Sequence, residues 1–406
     1  MREVKWPYGW GRVPYDREMR EKWMHLPFPV EEYEARMDRL RQRLRGLNWA
    51  GLIVHGTRDD RAAIRYLANY EDFYGGESLF VLPADGPPAF MTNAVMHSEP
   101  MHSGIQECWV PDVRCAPHPR TLVAPTTSIY DHLGDVLKER ALDRAALGVS
   151  GAGKAALSNW LAGTHPSVRV EDAGGLLPGA MAVKSDAEVD VLRAAASIAD
   201  AGLLALMEAV REGVSEYELA GEANRAMFAA GAEDTALPIA VGSGPRSGFK
   251  HVPPSSRKLQ KGDWVYTDLG ARCMGYCSDM SRNRTVGPPT DAQRRLMEDQ
   301  IEVVHAVMDE AKAGSRIGDL ADVAEALAQE KGVADYLYFR GHGIGTSTHV
   351  PPSFAPGSDA VLEEKMVFCF EPMLVKYGFG TACVEHMYVV RKDRCENLST
   401  CPERFW

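Results

Sequence analysis

The feature that most constrains this chain is an internal repeat. Gly213, Glu218, Leu219 and Ala220 recur 101 positions later as Gly314, Asp319, Leu320 and Ala321. At the same offset Gly231 and Asp234 recur as Gly332 and Asp335, and Gly242 and Gly244 as Gly343 and Gly345. Each copy reads as helix, turn, helix and then a Gly-rich strand. A unit of this length is too long for a solenoid repeat. Two such halves would pack pseudo-symmetrically about one sheet, with a site between them.

The chain has 406 residues, enough for two or three domains with a real core. Its formal net charge of -11 argues against a non-specific nucleic-acid partner. No apolar run approaches the roughly 20 residues that span a bilayer. The opening MREVKWPYGWGRVPYDREMREKW lacks the apolar core of a signal peptide. The cysteines follow no framework spacing and read as reduced thiols of a cytoplasmic protein.

Residues 1–29, rich in Trp, Tyr, Pro and Arg, read as an ordered arm. Residues 30–178 alternate between helix-like and strand-like segments and predict a smaller α/β domain. Tyr33, Met37, Leu40 and Leu44 carry a helical stripe; 51–56, 78–83, 88–93 and 146–150 read as strands, 127–140 and 154–163 as helices. Gly148–Lys154 has the spacing of a phosphate-cradling loop, but Ala155 stands where a magnesium-binding hydroxyl belongs. It therefore reads as a strand-to-helix turn. Pro178 and Gly179 mark the boundary, and Ser185 with Glu188 has the form of a capping box. The remainder, 179–406, holds the repeat. The stretch 57–77 reads as loop-rich, and Arg61, Arg65, Tyr70, Phe73 and Tyr74 are its candidates for substrate contact, or else surface and hinge residues.

Chemistry concentrates in the second half. Asp268 follows the strand-like Trp264, Val265 and Tyr266; Asp279 lies in a second run from Met274 to Val286. His342 lies in GHGIG, Glu371 follows the apolar MVFCF, and Glu385 sits in the strand-like ACVEHMYVV. Singly, each acid reads as a structural or solvated group. As a set, four carboxylates are expensive to bury unless cations neutralise them. Two divalent ions would balance the charge and lower the pKa of a shared water. Four oxygen donors and one imidazole suit Mn²⁺, with Zn²⁺, Co²⁺ and Fe²⁺ as alternatives. Strand alternation turns His386 away from the face of Glu385. His251 and His349 each precede Val-Pro-Pro and are candidates to donate a proton or hydrogen bond to a scissile group.

The series TDLG…GYCSDMSR, GHGIG…H, FEPM and VEH resembles the creatinase, prolidase, aminopeptidase P and methionine aminopeptidase superfamily, the pita-bread enzymes. The resemblance runs from about residue 30 to the end and is strongest from 240 to 390. It implies a C-terminal domain of duplicated halves around a curved antiparallel sheet, beside a smaller α/β domain. It implies one ion on Asp268, Asp279 and Glu385, and a second on Asp279, His342, Glu371 and Glu385. His251 and His349 match substrate and proton-handling histidines, and a homodimer is implied. The activity this points to is hydrolysis of a C–N bond in a small molecule or a short Xaa-Pro-type peptide, with Glu371 shuttling the proton. Three features depart from the peptidase pattern: Val350 replaces a Glu, and neither the Arg before the last Glu nor the Asp after it is present. Glu385-His386 and the closing ENLSTCPERFW instead resemble creatinase and ectoine hydrolase. A metal-dependent lyase acting on dimethylsulfoniopropionate and a non-catalytic binding module are the alternative readings.

Overall fold

The structure, a computed structural model, describes residues 12–13, 26–71, 76–94, 108–117 and 128–406. The chain divides into two units, Met1–Ala180 and Met181–Trp406. Most of the arm 1–29, together with Phe73 and Tyr74, lies outside the described residues.

In the first unit, strands β1 (Arg12–Val13), β2 (Gly51–Thr57), β3 (Glu77–Pro83), β4 (Ala89–Ala94), β5 (Asp112–Pro117), β6 (Ala146–Gly151) and β7 (Arg169–Asp172) form one mixed sheet, ordered β1-β5-β4-β3-β2-β6-β7. Helices α1 (Val30–Gly46), α2 (Ala62–Ala68), α3 (Ile129–Glu139) and α4 (Lys154–Thr164) accompany it. Tyr33, Met37, Leu40 and Leu44 are all buried, so the apolar stripe of α1 is its inner face. Leu133, Leu137, Leu157 and Leu161 of α3 and α4 pack with Ile53, Val81 and Val149 of the sheet. The Gly-rich turn between β6 and α4 is structural. A side chain on Gly151 would meet the His55 carbonyl, Gly153 N–H donates to His55 Nδ1 at 3.1 Å, and Lys154 pairs with Asp172 at 2.8 Å. The stretch 57–77 is less loop-like than its residues suggest, because it contains α2. There Arg65 is buried, Arg61 is ion-paired with Glu71, and Tyr70 packs on Phe90 inside the core.

After the short helix α5 (Leu176–Met181), the second unit carries α6 (Asp186–Ala209), α7 (Glu216–Ala229), α8 (Asp291–Glu310) and α9 (Ile317–Glu330). Capping boxes start three of them, at Ser185/Glu188, Ser215/Glu218 and Thr290/Gln293. The repeat is visible as geometry. Gly213 and Gly314, preceding α7 and α9, both have positive φ (84° and 92°), as do Gly231 and Gly332 beyond the ends of those helices (105° and 69°). That conformation strains other residues and explains why glycine returns at these places. Helix α6 packs on α7, and α8 on α9.

The strands of this unit are β8 (Asp234–Thr235), β9 (Ala240–Ser243), β10 (Trp264–Leu269), β11 (Ala271–Cys273), β12 (Tyr276–Cys277), β13 (Met280–Thr285), β14 (Leu337–Tyr338), β15 (Gly341–Gly343), β16 (Val350–Phe354), β17 (Val367–Phe370), β18 (Met373–Lys376), β19 (Gly380–Ala382), β20 (His386–Val390) and β21 (Cys395–Asn397). All their pairings are antiparallel, in the orders β13-β10-β9, β12-β11-β8, β14-β18-β19 and β16-β15-β17-β20-β21. Val304, Val307, Ile317 and Leu320 of α8 and α9 pack with Phe354, Phe368 and Phe370. Among the described residues, no helix is long and apolar enough to cross a membrane.

One expected strand is broken. The run from Met274 to Val286 stops at Cys277 and resumes at Met280, so Asp279 lies between strands. The cause is a change of partner: β12 pairs with β11, whereas β13 pairs with β10. Ser278 fastens the crossing, its Oγ accepting from Ala271 N–H at 2.9 Å.

Candidate metal centre

Five side chains distant in sequence meet in the second unit. Asp268 is near the end of β10, Asp279 is in the crossing before β13, His342 is at the middle of β15, and Glu371 and Glu385 flank β17 and β20. Each is at most 5% exposed, so bulk solvent does not bathe these groups. Carboxylate oxygens of Asp268, Asp279 and Glu385 lie within 4.8 Å of one another. His342 Nε2 is 3.7 Å from Asp279 Oδ2 and 3.6 Å from Glu371 Oε1.

The hydrogen bonding of these groups is one-sided. Asp268 Oδ2 contacts His251 Nδ1 at 3.1 Å and accepts from the Tyr266 hydroxyl at 3.3 Å. Glu385 Oε2 accepts from Ser281 Oγ at 2.9 Å, and His342 Nδ1 lies 3.2 Å from the Gly343 carbonyl. Their other donor atoms, Asp268 Oδ1, Glu385 Oε1 and His342 Nε2, together with Asp279 Oδ1, are buried with no hydrogen-bond partner among the described residues. One atom of the side chain is fixed by the protein and the other is held ready, as outer-shell bonds do around a metal.

The electrostatics point the same way. Burial, then the neighbouring carboxylates, push Asp279 and Glu385 well above the usual carboxylate range. Burial and Asp268 push Glu371 up to about 7, against the pull of Arg340. Burial, and then His349, bring His342 down to about 4, leaving a neutral imidazole able to bind a cation. Four crowded acids and a neutral imidazole with unpaired lone pairs are unfavourable alone and fit divalent cations.

The two further histidines border this cluster. His251, in a left-handed conformation at φ 50°, is raised by its hydrogen bond to Asp268. His349 stacks on His342 with ring centroids 3.9 Å apart, and burial followed by Arg340 lowers its pKa. His386 turns away, to Glu403 at 3.1 Å and Asn397 at 3.2 Å.

Sequence reasoning missed the supports. Arg340 bonds Glu371 at 2.6 Å and donates to His349 Nε2 at 3.1 Å. Its position directly before GHGIG was the available signal. Gln300 of α8 donates to the carbonyls of Pro372 and Val384 and accepts from Val384 N–H, bracketing Glu371 and Glu385. Arg282, fully buried, donates to the carbonyls of Ser281, Glu385, Cys401 and Pro402, tying the closing residues to the site. No local pattern marks Gln300 or Arg282.

Fold and site together define a pita-bread protein of the metallopeptidase class. Residues 190–392, half the chain, match metallopeptidase family M24, and the chain belongs to that family. It is 31% identical over 218 residues to the Xaa-Pro dipeptidase of Pyrococcus furiosus, covering 53% of this chain and 63% of that protein. With the Xaa-Pro dipeptidase of Lactobacillus helveticus it shares 32% over 237 residues, 58% of this chain and 64% of the other. Each match thus takes in less than two thirds of the curated relative. The solved Xaa-Pro dipeptidase of Bacillus anthracis superimposes with a TM-score of 0.79 at 25% identity, covering 92% of this chain and 99% of that one.

Proposed function

We propose that this chain is a metal-dependent hydrolase of short peptides, with Xaa-Pro dipeptides as the foremost substrate class. The observation that carries the reading is the set of four buried, partnerless donor atoms on Asp268, Asp279, His342 and Glu385. Together with Glu371, these residues would hold two divalent ions, manganese foremost if these five side chains alone supply the donors. Such ions polarise a carbonyl and make water nucleophilic near neutral pH. Glu371, whose orientation Arg340 fixes at 2.6 Å, takes up a proton and returns it to the departing nitrogen. With its Nδ1 engaged by Asp268, His251 offers Nε2 to the substrate. His349, receiving a hydrogen bond from Arg340, is held neutral beside the cluster.

The names of the relatives support a peptide substrate over creatine, ectoine or a sulfonium propionate. A reducing, cytoplasmic setting is supported by the eight free thiols, and a homodimer by family resemblance; sedimentation of the purified protein tests the latter. The deciding experiment is an assay of metal-loaded protein on Xaa-Pro dipeptides, creatine, ectoine and dimethylsulfoniopropionate. The expected result is proline release abolished by chelation. Turnover of another compound alone, or activity indifferent to chelation, overturns the reading.

A further inference from the structure

We propose that Cys369 supplies a sulfur donor to this metal centre, making the donor set mixed rather than oxygen and nitrogen alone. The inference rests on the metal-site reading above and deepens it. Cys369 lies on β17 directly opposite His342 of β15 and Met387 of β20. Residues directly opposite in an antiparallel pair share a face, with Cβ atoms about 4.5–5.5 Å apart. The thiol sulfur, a His342 ring nitrogen and a Glu385 carboxylate oxygen all lie within 4.8 Å of one another.

What lifts this above a lone cysteine is the company. His342 and Glu385 are at least 95% buried, and His342 Nε2 and Glu385 Oε1 have no partner among the described residues. The thiol's own hydrogen bond is a weak one, to the Asp279 carbonyl at 3.5 Å. Cys369 is fully buried, whereas redox-sensing or nucleophilic cysteines need solvent access. What sets it apart from an inert buried thiol is that its sulfur lies in one group with His342 and Glu385, which carry bare donor atoms. The thiol proton passes to solvent and the sulfur lone pair to the ion. Such a donor shifts preference from manganese toward zinc, iron or cobalt. Cys383 is equally buried but belongs to no donor group of this kind among the described residues, so it serves as an internal control.

The test is a cobalt(II) titration of the metal-free full-length protein, followed by absorption. Visible ligand-field bands report an ion in the site; a near-ultraviolet sulfur-to-cobalt charge-transfer band reports the thiolate. Both are expected in the unmutated protein. The charge-transfer band should vanish in Cys369→Ser and Cys369→Ala and persist in Cys383→Ser. The zinc-over-manganese preference should fall about tenfold or more in the Cys369 variants, since even outer-shell changes cost that much affinity. Ligand-field bands without the charge-transfer band in the unmutated protein overturn the sulfur donor and leave the metal site standing. No visible band at all overturns the metal site and the sulfur donor with it. A charge-transfer band that survives in Cys369→Ser also overturns the proposal. The spectrum of the unmutated protein decides even if a variant fails to fold.

Discussion

Glu216 and Glu385 are both fully buried carboxylates of the second unit, and they are opposites. Glu216 accepts from the N–H and hydroxyl of Ser243 at 2.8 and 2.7 Å, from those of Ser255 at 2.9 and 2.6 Å, and pairs with Arg246 at 3.1 Å. Glu385 accepts from Ser281 through one oxygen and leaves the other bare, facing further acids. The same contrast holds for two imidazoles. His132 in the first unit meets the Cys115 carbonyl through Nε2 at 3.0 Å, whereas Nε2 of His342 has no partner among the described residues. Burial alone therefore does not mark function. Among these four groups, the carboxylate and imidazole whose bonds are made hold the fold, and the two with bare atoms belong to the acid cluster.

Substitutions can break this contrast. The largest effect is expected at Asp279→Asn: peptide hydrolysis and bound metal fall by about a hundredfold or more, beyond the cost of outer-shell changes. Metal-free stability should hold or rise, because a neutral amide replaces a carboxyl that burial and the neighbouring acids keep from ionising. Activity assay, elemental analysis and urea unfolding check the three parts; a destabilised metal-free variant would place Asp279 with the structural acids. Glu216→Ala should do the reverse. It leaves Arg246 and two serines unmatched and costs about 3–5 kcal/mol in urea unfolding, with or without metal. Stripping metal from the unmutated protein should come next, lowering stability by about 2.7 kcal/mol relative to protein held at a hundred times the dissociation constant. Asp279→Asn should abolish that difference in a thermal scan.

The smallest expected effect is the pH dependence of His132. Burial holds its pKa below the ordinary 6.5, so the unfolded chain takes up the proton first. Its contribution is complete above about 6.5 and is lost as pH falls through the lower folded value. Urea unfolding between pH 7.5 and 5 should show a shallow decline that His132→Gln reduces. An unchanged slope would remove His132 from the comparison.

Much of the fold was legible because its signals are local. The stripe on α1, the capping box at Ser185 and the glycines that close the repeated helices each depend on residues a few positions apart. Asp268, Asp279, His342, Glu371 and Glu385 were legible as an ordered series of candidates, and the structure brings their side chains together. Their supports were not legible. Gln300 reaches Val384 across 84 positions and Arg282 reaches Pro402 across 120, contacts that no periodicity encodes. Asp279 was read inside a continuous strand, because β-rich composition cannot reveal that the strand changes partner. Arg65 and Tyr70 were read as loop residues, since polar and aromatic side chains give little warning that they will be buried.

By itself the amino-acid order determined that the second half is a doubled α/β unit and that acids and an imidazole follow one another in or beside its strand-like runs. Only the tertiary structure decided which lone pairs are spent on the protein and which are left over. That decision turns on distances between residues a hundred positions apart, where a shift of an ångström or two separates a satisfied carboxylate from a ligand.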